Sequence, residues 1–159
     1  MVRAMRRTAI FLLVIAIVLA LISISTDHWY TTHEQRAGLW KTCNIDNLIT
    51  GCTRNPNRTP AVSALAGVIL LLIGFIISLL PHRSEYPPRY LSYVVIVALL
   101  IGTVLLVISY ISYANNTHFR LLGYSYFLMV IVTILTLIAI AFLQYSSKQV
   151  QVTSDIGAL

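Results

Sequence analysis

Charge is scarce in this sequence, and its scarcity excludes most water-soluble folds. Only 10% of the 159 residues are Asp, Glu, Lys or Arg, whereas 58% are hydrophobic. A soluble domain of this size needs a charged and polar surface, which this composition does not supply. Four long stretches contain no Asp, Glu, Lys, Arg or His at all; they cover residues 8–25, 61–80, 91–113 and 121–143.

Residue sets that carry catalytic chemistry are also missing. The sequence has no paired carboxylates, no Ser/His/Asp combination on facing segments, no glycine-rich phosphate loop and no zinc-ligand spacing. Ion-coupled transport usually needs a charged side chain at membrane depth, and the apolar stretches offer none. We therefore expect a protein that is not an enzyme and has no cofactor or metal. Transport of ions or small molecules is a minor alternative.

The basic residues do not form a nucleic-acid-binding surface. The formal net charge is +6, but Lys and Arg are scattered around the ends of the apolar stretches. Nucleic-acid-binding domains concentrate their positive charge in a patch or along one face. We expect no nucleic-acid partner.

The four apolar stretches are long enough to cross a membrane as helices. At about 1.5 Å per residue, each covers a hydrocarbon core of about 30 Å. Lipid offers no partner to open backbone groups, so each span should be helical. We predict one domain with four membrane-spanning helices; its other segments are an external loop at 26–60, a cytoplasmic loop at 81–90, a second external loop at 114–120 and a flexible cytoplasmic tail at 144–159.

Orientation follows from the basic N-terminus. Arg3, Arg6 and Arg7 precede the first span, and positive charge at this position stays on the cytoplasmic side. An even number of spans then returns the C-terminus to the cytoplasm. The first stretch has an alternative interpretation as a cleavable signal peptide, since Ser23-Ile24-Ser25 would suit a cleavage site.

The first external loop holds the only two cysteines, Cys43 and Cys52, with eight residues between them. On the oxidising side of the membrane, a disulfide between them is the leading interpretation. Two free thiols are an alternative. A metal site is a weaker one, because His28 and His33 lack a second pair of ligands.

The same loop contains the pattern of a β-hairpin. Residues 38–43 and 48–53 each suit a short strand, and residues 44–47 suit the turn between them. This arrangement puts one cysteine on each arm of the hairpin.

Aromatic residues collect near the ends of the spans, where Trp and Tyr commonly anchor helices at the headgroup level. We interpret most of them as such anchors: Trp29, Tyr30, Tyr110, Tyr113, Tyr124 and Tyr126 outside, and Tyr86, Tyr90, Tyr93 and Tyr145 inside. Trp40 lies in mid-loop instead. We interpret its indole as a plug that seats the hairpin on the bilayer, with an exposed contact patch as the alternative.

Small residues recur at helical spacing in two spans, where they would let the backbones approach. They are Ser63, Gly67, Gly74 and Ser78 in the second span, and Ala98, Gly102 and Ser109 in the third. These faces predict the seam of the bundle, although Gly and Ser are also common in membrane helices generally. Two sequons make Asn57 and Asn115 candidate glycosylation sites on the external side.

The first loop also carries a family resemblance. Ser25-Thr26-Asp27-His28-Trp29, followed by Gly38-Leu39-Trp40, Cys43 and Cys52, resembles the signature of a four-helix superfamily. Its members include peripheral myelin protein, the epithelial membrane proteins, lens fibre intrinsic membrane protein and the claudins. Tyr124-Ser125-Tyr126 resembles the start of the fourth helix in the myelin and epithelial members.

The resemblance implies a left-handed four-helix transmembrane bundle topped by a small extracellular antiparallel β-sheet. It gives the motif roles to Trp29, Gly38, Leu39 and Trp40, with the tryptophans seating the sheet on the membrane and Cys43 and Cys52 linking neighbouring strands. Members of the superfamily are not enzymes. They bind each other in cis or trans at junctions and in myelin, or they serve as auxiliary subunits of channels and receptors.

From this resemblance we expect a plasma-membrane protein that organises membrane domains or cell–cell junctions through its sheet. Its expected partners are membrane lipids and itself or related tetraspan proteins; the alternative is an auxiliary subunit of an ion channel or receptor. Only eight residues separate Trp29 from Gly38, fewer than in claudins, and the C-terminus lacks the aromatic-valine ending of claudins. A paracellular pore is therefore not expected.

Overall fold

The computed structural model describes residues 2–31, 35–44, 51–55, 58–79, 89–115 and 122–156. Four α-helices make up most of this part of the chain. Each is long and apolar enough to span a membrane, which indicates a multi-pass membrane protein. The helices are α1 (Val2–Ser25), α2 (Thr59–Leu79), α3 (Arg89–Asn115) and α4 (Tyr124–Ile156).

Neighbouring helices run antiparallel. The closest pairs are α2 with α3 and α1 with α4, while α1 also contacts α2 and α3 also contacts α4. The end of α1 and the start of α4 meet at the sheet, and Arg6 of α1 reaches the Ser78 carbonyl of α2 at the opposite end. This arrangement agrees with the predicted four-helix bundle.

Helix α4 is longer than its apolar stretch. It continues to Ile156, so residues 144–156 are helical where the sequence predicted a flexible tail without periodicity. Extending an existing helix adds one hydrogen bond per residue fixed, and Gln and Lys are good helix formers. The Gln149 side chain also donates to the Tyr145 hydroxyl one turn away, at 3.1 Å. Residues 81–88 and 116–120 of the predicted connections lie outside the described residues.

Four short strands form one antiparallel sheet at the end of the bundle where α1 ends. Strand order follows the chain, so each strand pairs with the next. Arg36 lies opposite Cys43, and Cys43 lies opposite Cys52. The strands are β1 (Tyr30–Thr31), β2 (Gln35–Ala37), β3 (Lys41–Asn44) and β4 (Cys52–Arg54). The small sheet that the resemblance implied is present.

The hairpin prediction needs one correction. Residues 38–40 are not part of a strand, because the Gly38 N–H donates to the Lys41 carbonyl at 2.8 Å and Leu39-Trp40 becomes the tip of the β2–β3 hairpin. The Leu39 side chain is only 1% exposed, so this tip packs against the helices. Of the second predicted strand, at residues 48–53, Cys52 and Thr53 belong to β4, Gly51 does not, and residues 48–50 lie outside the described residues. The predicted turn from residue 45 onward also lies outside them.

The predicted small-residue seam lies between α2 and α3. A methyl group on Gly67 would lie 2.8 Å from Leu106 Cδ2 and 2.9 Å from the Gly102 carbonyl oxygen, and one on Gly74 would lie 2.8 Å from Leu99 Cδ2. The absence of side chains at these glycines therefore lets the two helices approach closely. Leucines from the facing helix fill the space.

Candidate functional site at the junction of sheet and bundle

Trp29 occupies the centre of the junction between the sheet and the helices. Its side chain is 0% exposed, and its indole N–H donates to the Ser23 carbonyl of α1 at 2.8 Å. Its backbone N–H donates to the Ala37 carbonyl of β2 at 3.1 Å, and its carbonyl accepts from the Gly123 N–H at 2.8 Å. One residue thus joins α1, the sheet and the segment that leads into α4.

Both tryptophans of the motif donate hydrogen bonds to carbonyl groups at the end of α1. The last carbonyl groups of a helix have no partner within the helix. Here the indole of Trp29 bonds the Ser23 carbonyl, and the indole of Trp40 bonds the Ile24 carbonyl at 2.9 Å. The tip of the β2–β3 hairpin is therefore attached to α1 by a hydrogen bond from Trp40.

Trp40 is only partly covered by protein. Its side chain is 42% exposed although its N–H points to the helix end. The predicted seating of this residue on the bilayer remains a prediction. What the structure shows is that the indole is fixed by α1 on one side and open on the other.

Tyrosines from α3 and α4 surround Trp29. The ring of Tyr113 lies 5.1 Å from the indole and that of Tyr126 lies 6.4 Å from it, and Tyr110 packs against Tyr126 at 5.8 Å. Trp29, Tyr113 and Tyr126 are buried. The interpretation as headgroup anchors is wrong for these three, because the sheet covers this end of the bundle. Position near a span end does not distinguish a lipid anchor from a core aromatic.

Gly38 and Gly123 both lie against the backbone of the two residues that precede Trp29, and neither position has room for a side chain. A methyl group on Gly38 would lie 2.8 Å from the Asp27 Cα atom, and one on Gly123 would overlap the His28 carbonyl oxygen. Backbone atoms cannot move aside as a flexible side chain can. Gly38 belongs to the predicted motif, whereas Gly123 was not singled out by the sequence.

Hydroxyl groups join α1 to α4 directly below the sheet. The Ser23 hydroxyl donates to the Ser125 carbonyl at 2.7 Å, and the Thr26 and Ser125 hydroxyls lie 2.6 Å apart in a hydrogen bond. Ser23 and Ser125 are fully buried. The sequence offered only a weak signal for this contact, the Tyr124-Ser125-Tyr126 resemblance, because a lone serine in an apolar run has many possible partners.

The predicted disulfide between Cys43 and Cys52 is confirmed. The two residues are opposite each other on β3 and β4, with 4.1 Å between their Cα atoms. All residues of β4 are exposed, so little side-chain burial holds this strand. Besides the cross-link, it is held by its pairing with β3 and by the Asn55 N–H, which donates to the Trp40 carbonyl at 3.1 Å. Lys41 also pairs with Asp27 at 3.0 Å, an exposed ion pair that stabilises by about 0–1 kcal/mol.

Both faces of the sheet have exposed residues. They include Arg36 and Arg54 on one face and Gln35 and Thr53 on the other. Asn115, one candidate glycosylation site, is exposed at the end of α3, and the other, Asn57, lies outside the described residues.

Within the described ranges no three His, Cys, Asp or Glu residues are grouped to hold a metal.

Comparison with known proteins does not add a relative. No protein-family model and no curated protein matches this chain.

Proposed function

We propose that the chain is a non-enzymatic tetraspan protein of the plasma membrane that organises membrane domains or cell–cell contacts through its sheet. One observation carries the proposal: the sheet is held on the bundle by two indole–carbonyl bonds and a buried tryptophan. A surface held this firmly loses little conformational freedom on binding, which favours a contact role.

The proposed disposition has both termini in the cytoplasm and the sheet outside the cell, on a left-handed bundle. The basic N-terminus and the Cys43–Cys52 disulfide support it, since disulfides persist on the oxidising side of the membrane. The motif of Trp29, Gly38, Leu39 and Trp40 supports membership of the myelin, epithelial and claudin superfamily. By that similarity the partners are a second copy or a related tetraspan protein, in cis or in trans.

A contact assay with negative charge introduced on the sheet tests the proposal. Arg36→Glu combined with Thr53→Glu changes two exposed positions, one on β2 and one on β4, that lie on opposite faces of the sheet. In cells that otherwise adhere weakly, the wild-type protein should increase cell–cell contact, and the double variant should lose that increase at equal surface expression. Lys148→Glu is the matched control, because Lys148 is exposed at the other end of the bundle.

Two outcomes contradict the proposal. Cell contacts that are equal for wild type and the sheet variant would remove the role of the sheet. A channel or receptor that co-purifies at fixed stoichiometry in mild detergent, with no self-association, would favour an auxiliary subunit instead.

A further inference from the structure

A groove of about 190 Å³ lies between the tip of the β2–β3 hairpin and the start of α2. Leu39, Trp40, Ala61 and Val62 line it, and its accessible surface is mostly apolar. Arg54 and Arg58 are lining residues as well, and both are exposed. We call this feature the interface groove.

The two arginines bring positive charge that the described residues do not neutralise. At this end of the bundle Asp27 is the one carboxylate among the described residues, and it pairs with Lys41 at 3.0 Å. Neither Arg54 nor Arg58 has an acidic partner within the described part of the chain. A groove with an apolar lining and unneutralised arginines suits an anionic amphiphile.

Local structure sets the positions of these groups. The Asn55 N–H donates to the Trp40 carbonyl at 3.1 Å, which holds the end of β4 beside the hairpin tip. The Arg58 carbonyl accepts from the Val62 N–H at 3.0 Å in the first turn of α2. Arg54 and Arg58 are thereby brought to the same groove from two different elements.

The groove lies where the apolar surface of α2 begins. Val62 is 61% exposed and Leu65 is 43% exposed, so the surface just beyond the groove is apolar and open. In a helix that spans a membrane, this boundary is the level of the lipid headgroups. Arg58 directly precedes α2, which puts its charge at that level.

We propose that the interface groove binds the phosphate of a phospholipid in the leaflet that faces the sheet. Guanidinium groups bind phosphate oxygens through paired, charge-assisted hydrogen bonds. Leu39, Ala61 and Val62 receive the apolar part of the same lipid near its glycerol. The proposal rests on the proposed membrane disposition but not on the contact role of the sheet.

Native mass spectrometry of the full chain released from nanodiscs tests this binding. The nanodiscs contain phosphatidylglycerol and phosphatidylcholine in equal amounts, and the wild-type protein should retain phospholipid at collision energies that strip bulk lipid. Arg54→Gln combined with Arg58→Gln should reduce the retained fraction about tenfold or more, since each charge-assisted bond contributes about that factor in affinity. Equal retention by wild type and this variant would overturn the proposal.

Arg36→Gln is the matched control, because Arg36 is an exposed arginine of the same sheet that does not line the groove. This control should retain lipid as the wild type does. If it lost as much lipid as the groove variant, the loss would come from the lower overall charge, and the proposed groove site would be overturned. The single variant Arg58→Glu lies outside the strands and should also lose retention, so the test does not depend on an altered β4.

Soluble competitors separate a lipid from a free anion. Inorganic phosphate and glycerol phosphate in excess should not displace the retained lipid, because neither fills the apolar part of the groove. Displacement by inorganic phosphate alone would overturn the lipid assignment. The measurement uses no cell contacts, so a failed contact assay and a failed lipid assay are distinguishable.

Discussion

The α2–α3 seam and the sheet-side end of α1 and α4 hold helices together in different ways. At the seam, Gly67 and Gly102 let the helices approach, and a leucine such as Leu106 fills the remaining space. At the sheet-side end, the Ser23 hydroxyl bonds α4 and the Trp29 indole bonds the end of α1. At mid-helix the first contact depends on shape, and near the sheet a hydroxyl also joins α2 and α3, where Ser109 donates to the Pro60 carbonyl at 2.7 Å. The second contact depends on hydrogen bonds.

The difference follows from what each level of the bundle leaves unsatisfied. In the middle of a helix every backbone group already has a partner, so side-chain size decides how closely helices pack. At a helix end, carbonyl groups lack partners and need donors from elsewhere in the chain. The motif tryptophans supply those donors, which explains why the sheet sits on the end of α1.

The largest expected effect is at Trp29. Trp29→Ala removes a fully buried indole and its hydrogen bond and should lower the unfolding free energy by about 3–5 kcal/mol. Denaturation in mixed SDS micelles, followed by circular dichroism, measures this loss. Trp40→Ala is the control and should lower it by only about 1 kcal/mol, because that indole is partly exposed. Equal losses would show that burial does not distinguish the two.

The next effect concerns the disulfide. Cys43→Ser combined with Cys52→Ser should destabilise the β3–β4 arm by about 2.7 kcal/mol, close to a hundredfold in local opening. Amide hydrogen exchange measured by mass spectrometry should show faster exchange in β3 and β4. Peptides from α2 and α3 should exchange as in the wild type, and faster exchange there would mean that the seam depends on the sheet.

Gly67→Ala probes the seam itself. The added methyl would press on the Gly102 carbonyl, so the helices must separate, at about 1–3 kcal/mol of unfolding free energy. Gly51→Ala serves as the control, because nothing lies within 4 Å of that position and the change should stay within about 0.5 kcal/mol. The same SDS titration compares them. A neutral Gly67→Ala would contradict packing by close approach.

The smallest expected effect is at Ser23. Ser23→Ala breaks the bond to the Ser125 carbonyl and should lower the unfolding free energy by about 1 kcal/mol. Ser63→Ala is the counterpart, since within the described part of the chain the Ser63 hydroxyl bonds only carbonyls of its own helix. Its replacement should be close to neutral. If both variants behaved alike, the hydroxyl contact between α1 and α4 would contribute nothing measurable.

Sequence patterns predicted the parts of the fold that depend on local chemistry. Long apolar runs predicted the four helices, the spacing of small residues predicted the seam, and the two cysteines of the first loop predicted the disulfide. Strands β1 and β2 were not predicted from the residue pattern, because two or three residues are too few to show an alternation of apolar and polar positions. The helical part of the tail was not predicted either, because a polar segment that extends a helix shows no helical spacing of apolar residues.

By itself the sequence determined that four apolar helices form and that Cys43 and Cys52 share one small loop, since hydrophobic length and cysteine spacing act over short distances along the chain. Tertiary structure alone decided that Trp29 is buried and that Gly123 must lack a side chain. Both depend on which distant backbone passes closest. The packing of α1 against α4 brings these distant backbone segments together. The carbonyl groups at the end of α1 need hydrogen-bond donors, and only the folded chain brings those donors to them.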